Sequence, residues 1–152
     1  MGTIKVILTG VVAGLAGTIV LSLLMLTKGW VPQLDPVVML DGVAHAVFTD
    51  MQAPVPLAGW LWHFVIGTLW WGPLFALMAP ILPGRQTWQK GLFFGFGASL
   101  LTMLMTMPLA GAGYFGMELT PLQAFVTVLL HLVYGLVLGV VFQRLAANPL
   151  PV

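Results

Sequence analysis

Residues 120–145 read TPLQAFVTVLLHLVYGLVLGVVFQRL, and this stretch decides the fold. From Pro121 to Leu145 it carries one charge, Arg144, close to its end. About 20 mainly apolar residues in helical conformation are enough to cross the hydrocarbon of a bilayer. Thr120 is placed to cap this helix, Pro121 suits its first position, and Gln123 completes a capping-box pattern. Three further stretches are of the same kind, so the spans are expected at about 4–27, 56–81, 89–110 and 121–145. Pro73 and Pro108 fall inside the second and third, where neighbouring helices can satisfy the freed backbone groups. Gly84 marks the turn after the second.

Composition agrees with that reading. Of 152 residues 60% are hydrophobic and 6% charged, against roughly 25% charged in an ordinary soluble domain. Five basic and four acidic side chains cannot clothe a water-soluble surface, so lipid is the expected solvent. The length allows one domain, residues 1–152. A net charge of +1 leaves no basic patch for nucleic acid. There is no cysteine, hence no disulfide, thiolate metal site or cysteine nucleophile. The first apolar stretch outruns a signal-peptide core and is expected to be a retained helix.

If the helices alternate, Lys5, Arg85, Lys90 and Arg144 share one side and only Lys28 lies on the other. The excess of Lys and Arg in short loops places both termini in the cytoplasm. Asp35, Asp41, Asp50 and Glu118 then lie outside. In the long outer segment Asp41, His45 and Thr49 recur every fourth position among apolar residues. That spacing predicts a short amphipathic helix at about 36–49, lying on the outer surface or covering the bundle. Trp30, Trp60 and Trp62 near one interface and Trp88 near the other form an aromatic belt, while Trp70 and Trp71 lie deeper.

The two halves repeat. Gly10 and Gly14 open the first helix as Gly91 and Gly95 open the third, and His63-Phe-Val-Ile-Gly67 matches His131-Leu-Val-Tyr-Gly135. Each half is a helical hairpin, so the expected fold is all-α: an integral membrane four-helix bundle of two similar hairpins. Small residues let helices approach closely in lipid. The stripes at Gly10, Gly14 and Gly17 and at Gly135 and Gly139 suit packing within the bundle or the seam of a homodimer.

His63 and His131 are the sharpest chemical feature, because ionisable groups inside a membrane are costly and face the interior. Both sit in the outer half. Two neutral imidazoles across a bundle can ligate haem b, with Gly67 and Gly135 leaving room for the macrocycle. They can equally line a quinone pocket, or bond hydroxyls and carbonyls and so lock the bundle. Tyr134 is grouped with them as a candidate ligand-facing hydroxyl. Their relative depth is open, since a difference of a few residues displaces them by about 1.5 Å each. Asp41 and His45, four apart, have a spacing found in metal sites, but two ligands are too few and a wetted polar face explains them. Met103, Met105 and Met107 could offer thioethers to Cu(I), yet in a helix Met105 points away from the other two. No acid–base pair, nucleophile triad or phosphate-binding loop is visible.

The Gly-rich first helix, Trp30-Val-Pro-Gln-Leu-Asp35, the H-x-x-x-G of the second span, Met107-Pro-Leu-Ala-Gly-Ala-Gly113 and Leu130-His-Leu-Val-Tyr-Gly135 together resemble a family of small bacterial inner-membrane proteins of unknown function. The resemblance covers nearly the whole chain. It implies four transmembrane helices and a bacterial inner-membrane location, and no activity or catalytic residue. The function expected from the residues is that of a non-enzymatic accessory or assembly subunit, packed against a larger membrane complex or a second copy. A haem b- or quinone-binding bundle is the first alternative and a small transporter or channel the second.

Overall fold

The computed structural model describes residues 2–26, Gly42 and residues 55–147. The surface helix expected at 36–49, and with it Asp41 and His45, lies outside the described residues, Gly42 aside. Four long helices are present, each long and apolar enough to cross a membrane. Helix α1 is Thr3–Leu26. Helix α2 runs as Val55–Val65, a π-helical stretch Ile66–Trp71, and Gly72–Met78. Helix α3 runs as Thr87–Leu101, a π stretch Thr102–Thr106, and Met107–Leu109. Helix α4 is Gln123–Ala147. No strand occurs among the described residues. The chain is an all-α bundle of four apolar helices and a multi-pass membrane protein.

The distribution of side chains inverts that of a soluble protein. The buried face of α1 is Thr9, Gly10, Ala13, Gly14, Gly17, Thr18, Leu21, Ser22 and Met25. Its outward face carries Ile4, Leu8, Val12, Leu15, Ile19 and Leu23. In lipid the bulky aliphatics lose nothing by facing out, and small residues inside allow dispersion contacts between backbones. Trp70 is 62% exposed on the outer surface, whereas Trp71 packs edge-on against Phe94.

Glycines set how closely the helices approach. A Cβ at Gly10 would meet the Gly72 carbonyl oxygen at 2.5 Å, and one at Gly14 the Gly67 carbonyl oxygen at 2.7 Å. A Cβ at Gly91 would collide with the Gly135 carbonyl, and one at Gly95 with that of His131. Both glycine stripes therefore form the seam inside a hairpin, α1 against α2 and α3 against α4. Helix α1 also packs on α4, where Gly17 lies over the ring of Tyr134. Between α2 and the second hairpin the space is filled by aromatic rings. Phe75 stands edge-on to Phe94 at 5.3 Å and to Phe142 at 5.5 Å between ring centres.

The two π stretches explain how the internal prolines are accommodated. A proline cannot donate to the carbonyl four residues back and its ring crowds that turn. Pro73 and Pro108 each follow a π stretch by two residues, so the wider turn comes just before the strained position. The π stretch of α2 also settles the register of the repeat. His63 and His131 are 68 positions apart, as are Gly67 and Gly135. Gly72 and Gly139, and Phe75 and Phe142, are 67 apart. The one-residue difference falls within Ile66–Trp71, where a π turn holds an extra residue.

One expected helix start is displaced. Helix α4 begins at Gln123 and not at Pro121. Gln123 is buried, and its Nε2 donates to Thr127 Oγ1 at 3.4 Å, so its side chain serves the interior and does not return to the Thr120 backbone. The reciprocal arrangement instead appears at α3, where Gln89 Oε1 accepts from the Arg85 and Gln86 N–H groups at 2.8 and 3.0 Å. Gly84 makes the turn after α2 with φ +123°, a backbone conformation open to glycine and strained for other residues.

Candidate functional site

The polar groups inside the bundle gather around the two histidines. Each stands eight residues past the first residue of its helix, from 55 to 63 and from 123 to 131. The two imidazoles are therefore at matching depth along their own helices.

Each ring is bound first to a hydroxyl of its own hairpin. His63 Nε2 lies 3.1 Å from Ser22 Oγ on α1. His131 Nε2 lies 3.1 Å from Thr102 Oγ1 on α3. The networks fix opposite proton positions. Ser22 Oγ donates its single proton to the Thr18 carbonyl at 2.7 Å, so it accepts from an N–H at His63 Nε2. His131 Nδ1 faces the Thr127 carbonyl at 2.8 Å, which only accepts, so the proton is on Nδ1 and Nε2 accepts from Thr102. One histidine is thus a donor through Nε2 and the other an acceptor through the same atom.

Each lock continues along its helix. On α1, Thr18 Oγ1 donates to the Gly14 carbonyl at 2.8 Å and Ser22 Oγ to the Thr18 carbonyl, the back-bonding by which hydroxyls satisfy themselves in membrane helices. On α4, Gln123, Thr127 and His131 follow at four-residue spacing and are linked by the bonds just described. Thr68 is the only described residue with a buried side-chain polar atom lacking a hydrogen bond, its Oγ1.

The other candidate residues have structural partners. Tyr134 is buried, and its hydroxyl donates to the Gly67 carbonyl at 2.7 Å, which joins two of the candidates to each other and α4 to α2. The space over Gly67 is taken by the Thr18 hydroxyl, and that over Gly135 by the Gly91 carbonyl. Met103 and Met107 are buried together while Met105 is 60% exposed, so the three thioethers do not converge. Among the described residues no three His, Cys, Asp or Glu side chains are placed to hold a metal.

Sequence reasoning singled out the histidines and missed Ser22 and Thr102, which read as ordinary membrane-helix hydroxyls. A signal was present: Gly14, Thr18 and Ser22 are spaced by four, so Ser22 continues the glycine seam toward α2.

Fold and site together define a multi-pass membrane protein of four spans with paired polar contacts between its helices. The match to the family of unknown function DUF6789 runs over residues 4–151. The chain belongs to that family. No curated protein and no solved structure matches it.

Proposed function

We propose that the protein is a non-enzymatic subunit of a bacterial inner-membrane assembly, a rigid four-helix element held shut by two histidine locks. The observation that carries this reading is that each intramembrane imidazole is held by a hydroxyl of its own hairpin, Ser22 for His63 and Thr102 for His131. The outward faces bear large apolar and aromatic side chains, among them Trp70, Leu109 and Phe125, at 62, 70 and 63% exposure. Such a surface suits lipid and the helices of neighbouring subunits alike. With Lys5, Arg85, Lys90 and Arg144 at one end, both termini face the cytoplasm.

Haem b does not fit these residues. Its iron would need a lone pair from each ring; that of His131, on Nε2, accepts from Thr102, while that of His63 lies on Nδ1, because Nε2 carries the proton given to Ser22. The room that Gly67 and Gly135 would give a macrocycle is filled by Thr18 and Gly91. A quinone would have to displace Ser22 or Thr102 from a ring nitrogen.

The test is extraction of the affinity-tagged chain from its native membranes in a mild detergent, followed by native gel electrophoresis and solvent extraction. The proposal expects migration in a species larger than a monomer or dimer, with no bound chromophore. A lone monomer contradicts the assembly role. Stoichiometric quinone that disappears in His63→Leu and His131→Leu would replace the lock with a ligand site.

A further inference from the structure

The hydroxyl of Thr68 on α2 is sealed inside the bundle and makes no hydrogen bond. Four other buried hydroxyls return to their own helix: Thr9 donates to the Lys5 carbonyl, Thr18 to Gly14, Ser22 to Thr18 and Ser99 to Phe96, at 2.7 to 2.8 Å. In an α-helix Thr68 would reach the Phe64 carbonyl in the same way. It lies instead in the π stretch Ile66–Trp71, where the wider turn breaks the four-residue spacing. An unpaired buried hydroxyl costs its full desolvation, so something holds the π turn at this place against that cost.

The contacts of α2 show what holds it. Gly67 and Gly72 are five residues apart, yet both face α1: a Cβ at Gly14 would meet the Gly67 carbonyl oxygen at 2.7 Å and the Gly72 Cα at 2.9 Å. Five residues of α-helix turn through about 500°, which would leave the two glycines about 140° apart. The wider π turn is what brings both onto one face. On α4 the equivalent pair, Gly135 and Gly139, is four apart and meets α3 without a π turn. The Tyr134 hydroxyl donates to the Gly67 carbonyl at 2.7 Å, and so grips the glycine that an α-helical α2 would turn away. Beyond the π stretch the helix is anchored by Phe75, which is fully buried between Phe94 and Phe142.

We propose that α2 is a two-register helix and that Tyr134 is the latch that keeps its π turn at Ile66–Trp71. When the bond from Tyr134 to Gly67 opens, the extra residue moves toward the Val55 end of α2. Gly67 then leaves the α1 seam, and Thr68 donates to the Phe64 carbonyl. The part of α2 that holds Phe75 stays where it is. The latch and the glycine seam favour one register, and the orphaned hydroxyl of Thr68 favours the other. Two packings of one element, biased in opposite directions by named groups, make a conformational switch. The inference does not rest on the proposed subunit role.

The experiment is solid-state NMR of the full chain in lipid bilayers, with carbon-13 at the tryptophan carbonyls and nitrogen-15 at the glycines. The pair Trp71-Gly72 occurs once in the sequence, so one peptide at the end of the π stretch is read alone. The parent is expected to give one signal. Tyr134→Phe is expected to raise a second, because losing the bond shifts the balance about fivefold. Adding Thr68→Val, which keeps the side-chain shape and removes the hydroxyl, is expected to shrink that second signal about tenfold. A single signal in Tyr134→Phe overturns the proposal, as does a second signal that Thr68→Val leaves undiminished. Thermal unfolding in detergent gives an independent reading. Thr68→Val alone is expected to match or exceed the parent, and a clear loss of stability would show that the hydroxyl is bonded and overturn the proposal.

Discussion

The hydroxyl of Tyr134 on the second hairpin donates to the carbonyl of Gly67 on the first, across 2.7 Å. The acceptor lies in the π stretch of α2, and the ring that carries the donor lies under Gly17 of α1. One side chain thus joins three helices, and it does so at the place where the repeat gains a residue. Replacing Tyr134 by Phe keeps the ring and deletes the bond. Side-chain hydrogen bonds between membrane helices contribute on the order of 0.6–1.7 kcal/mol. Tyr134→Phe is therefore expected to destabilise the bundle by about 1 kcal/mol, measured by denaturant unfolding in detergent micelles. A variant as stable as the parent would deny the bond any role in joining the hairpins.

Glycines on the seam and glycines off it predict opposite outcomes for the same substitution. Gly91→Ala drives a methyl group into the Gly135 carbonyl and is expected to cost about 1–3 kcal/mol as the helices part. Gly97 has nothing within 4 Å of an added Cβ, so Gly97→Ala is expected to be neutral or to stabilise by about 0.5 kcal/mol through its helix preference. Thermal unfolding of the pair in the same detergent decides the matter. Equal effects would mean that the stripe at Gly91 and Gly95 is not a close helix contact.

The proposed orientation, with both termini in the cytoplasm, would put the α2–α3 turn inside and the α3–α4 loop outside. The chain has no cysteine, so single cysteines report cleanly. Met117→Cys, at a residue 63% exposed, is expected to react with a membrane-impermeant maleimide in spheroplasts. Pro83→Cys is expected to react only after lysis. The reverse pattern would invert the topology and move the basic end outward.

Much of this architecture was legible in the sequence, for physical reasons. Span length and apolar content follow directly from the thickness of the hydrocarbon, and the four helices fall within a few residues of the stretches at 4–27, 56–81, 89–110 and 121–145. Glycine spacing marked the faces that touch, though not whether they would touch within the chain or between copies. Pro73 and Pro108 announced a local break in the helix, but the π form of that break depends on the helices packed around it. Gln123 was misread as a cap because its competing partner, Thr127, becomes preferable only once the interior is closed. The hydroxyls that hold the histidines lie 41 and 29 positions away in the chain, a pairing that only the packing of the hairpins brings about.

The central claim is that His63 and His131 are closed into the bundle by unlike hydrogen bonds. Nitrogen-15 solid-state NMR of histidine-labelled protein in lipid bilayers, with His45 replaced by Gln, reads the proton position on each ring. Two neutral imidazoles in different tautomers are expected, His63 protonated at Nε2 and His131 at Nδ1. Two rings in the same tautomer, or nitrogen shifts of metal-bound imidazole, would contradict the locks and the function proposed from them.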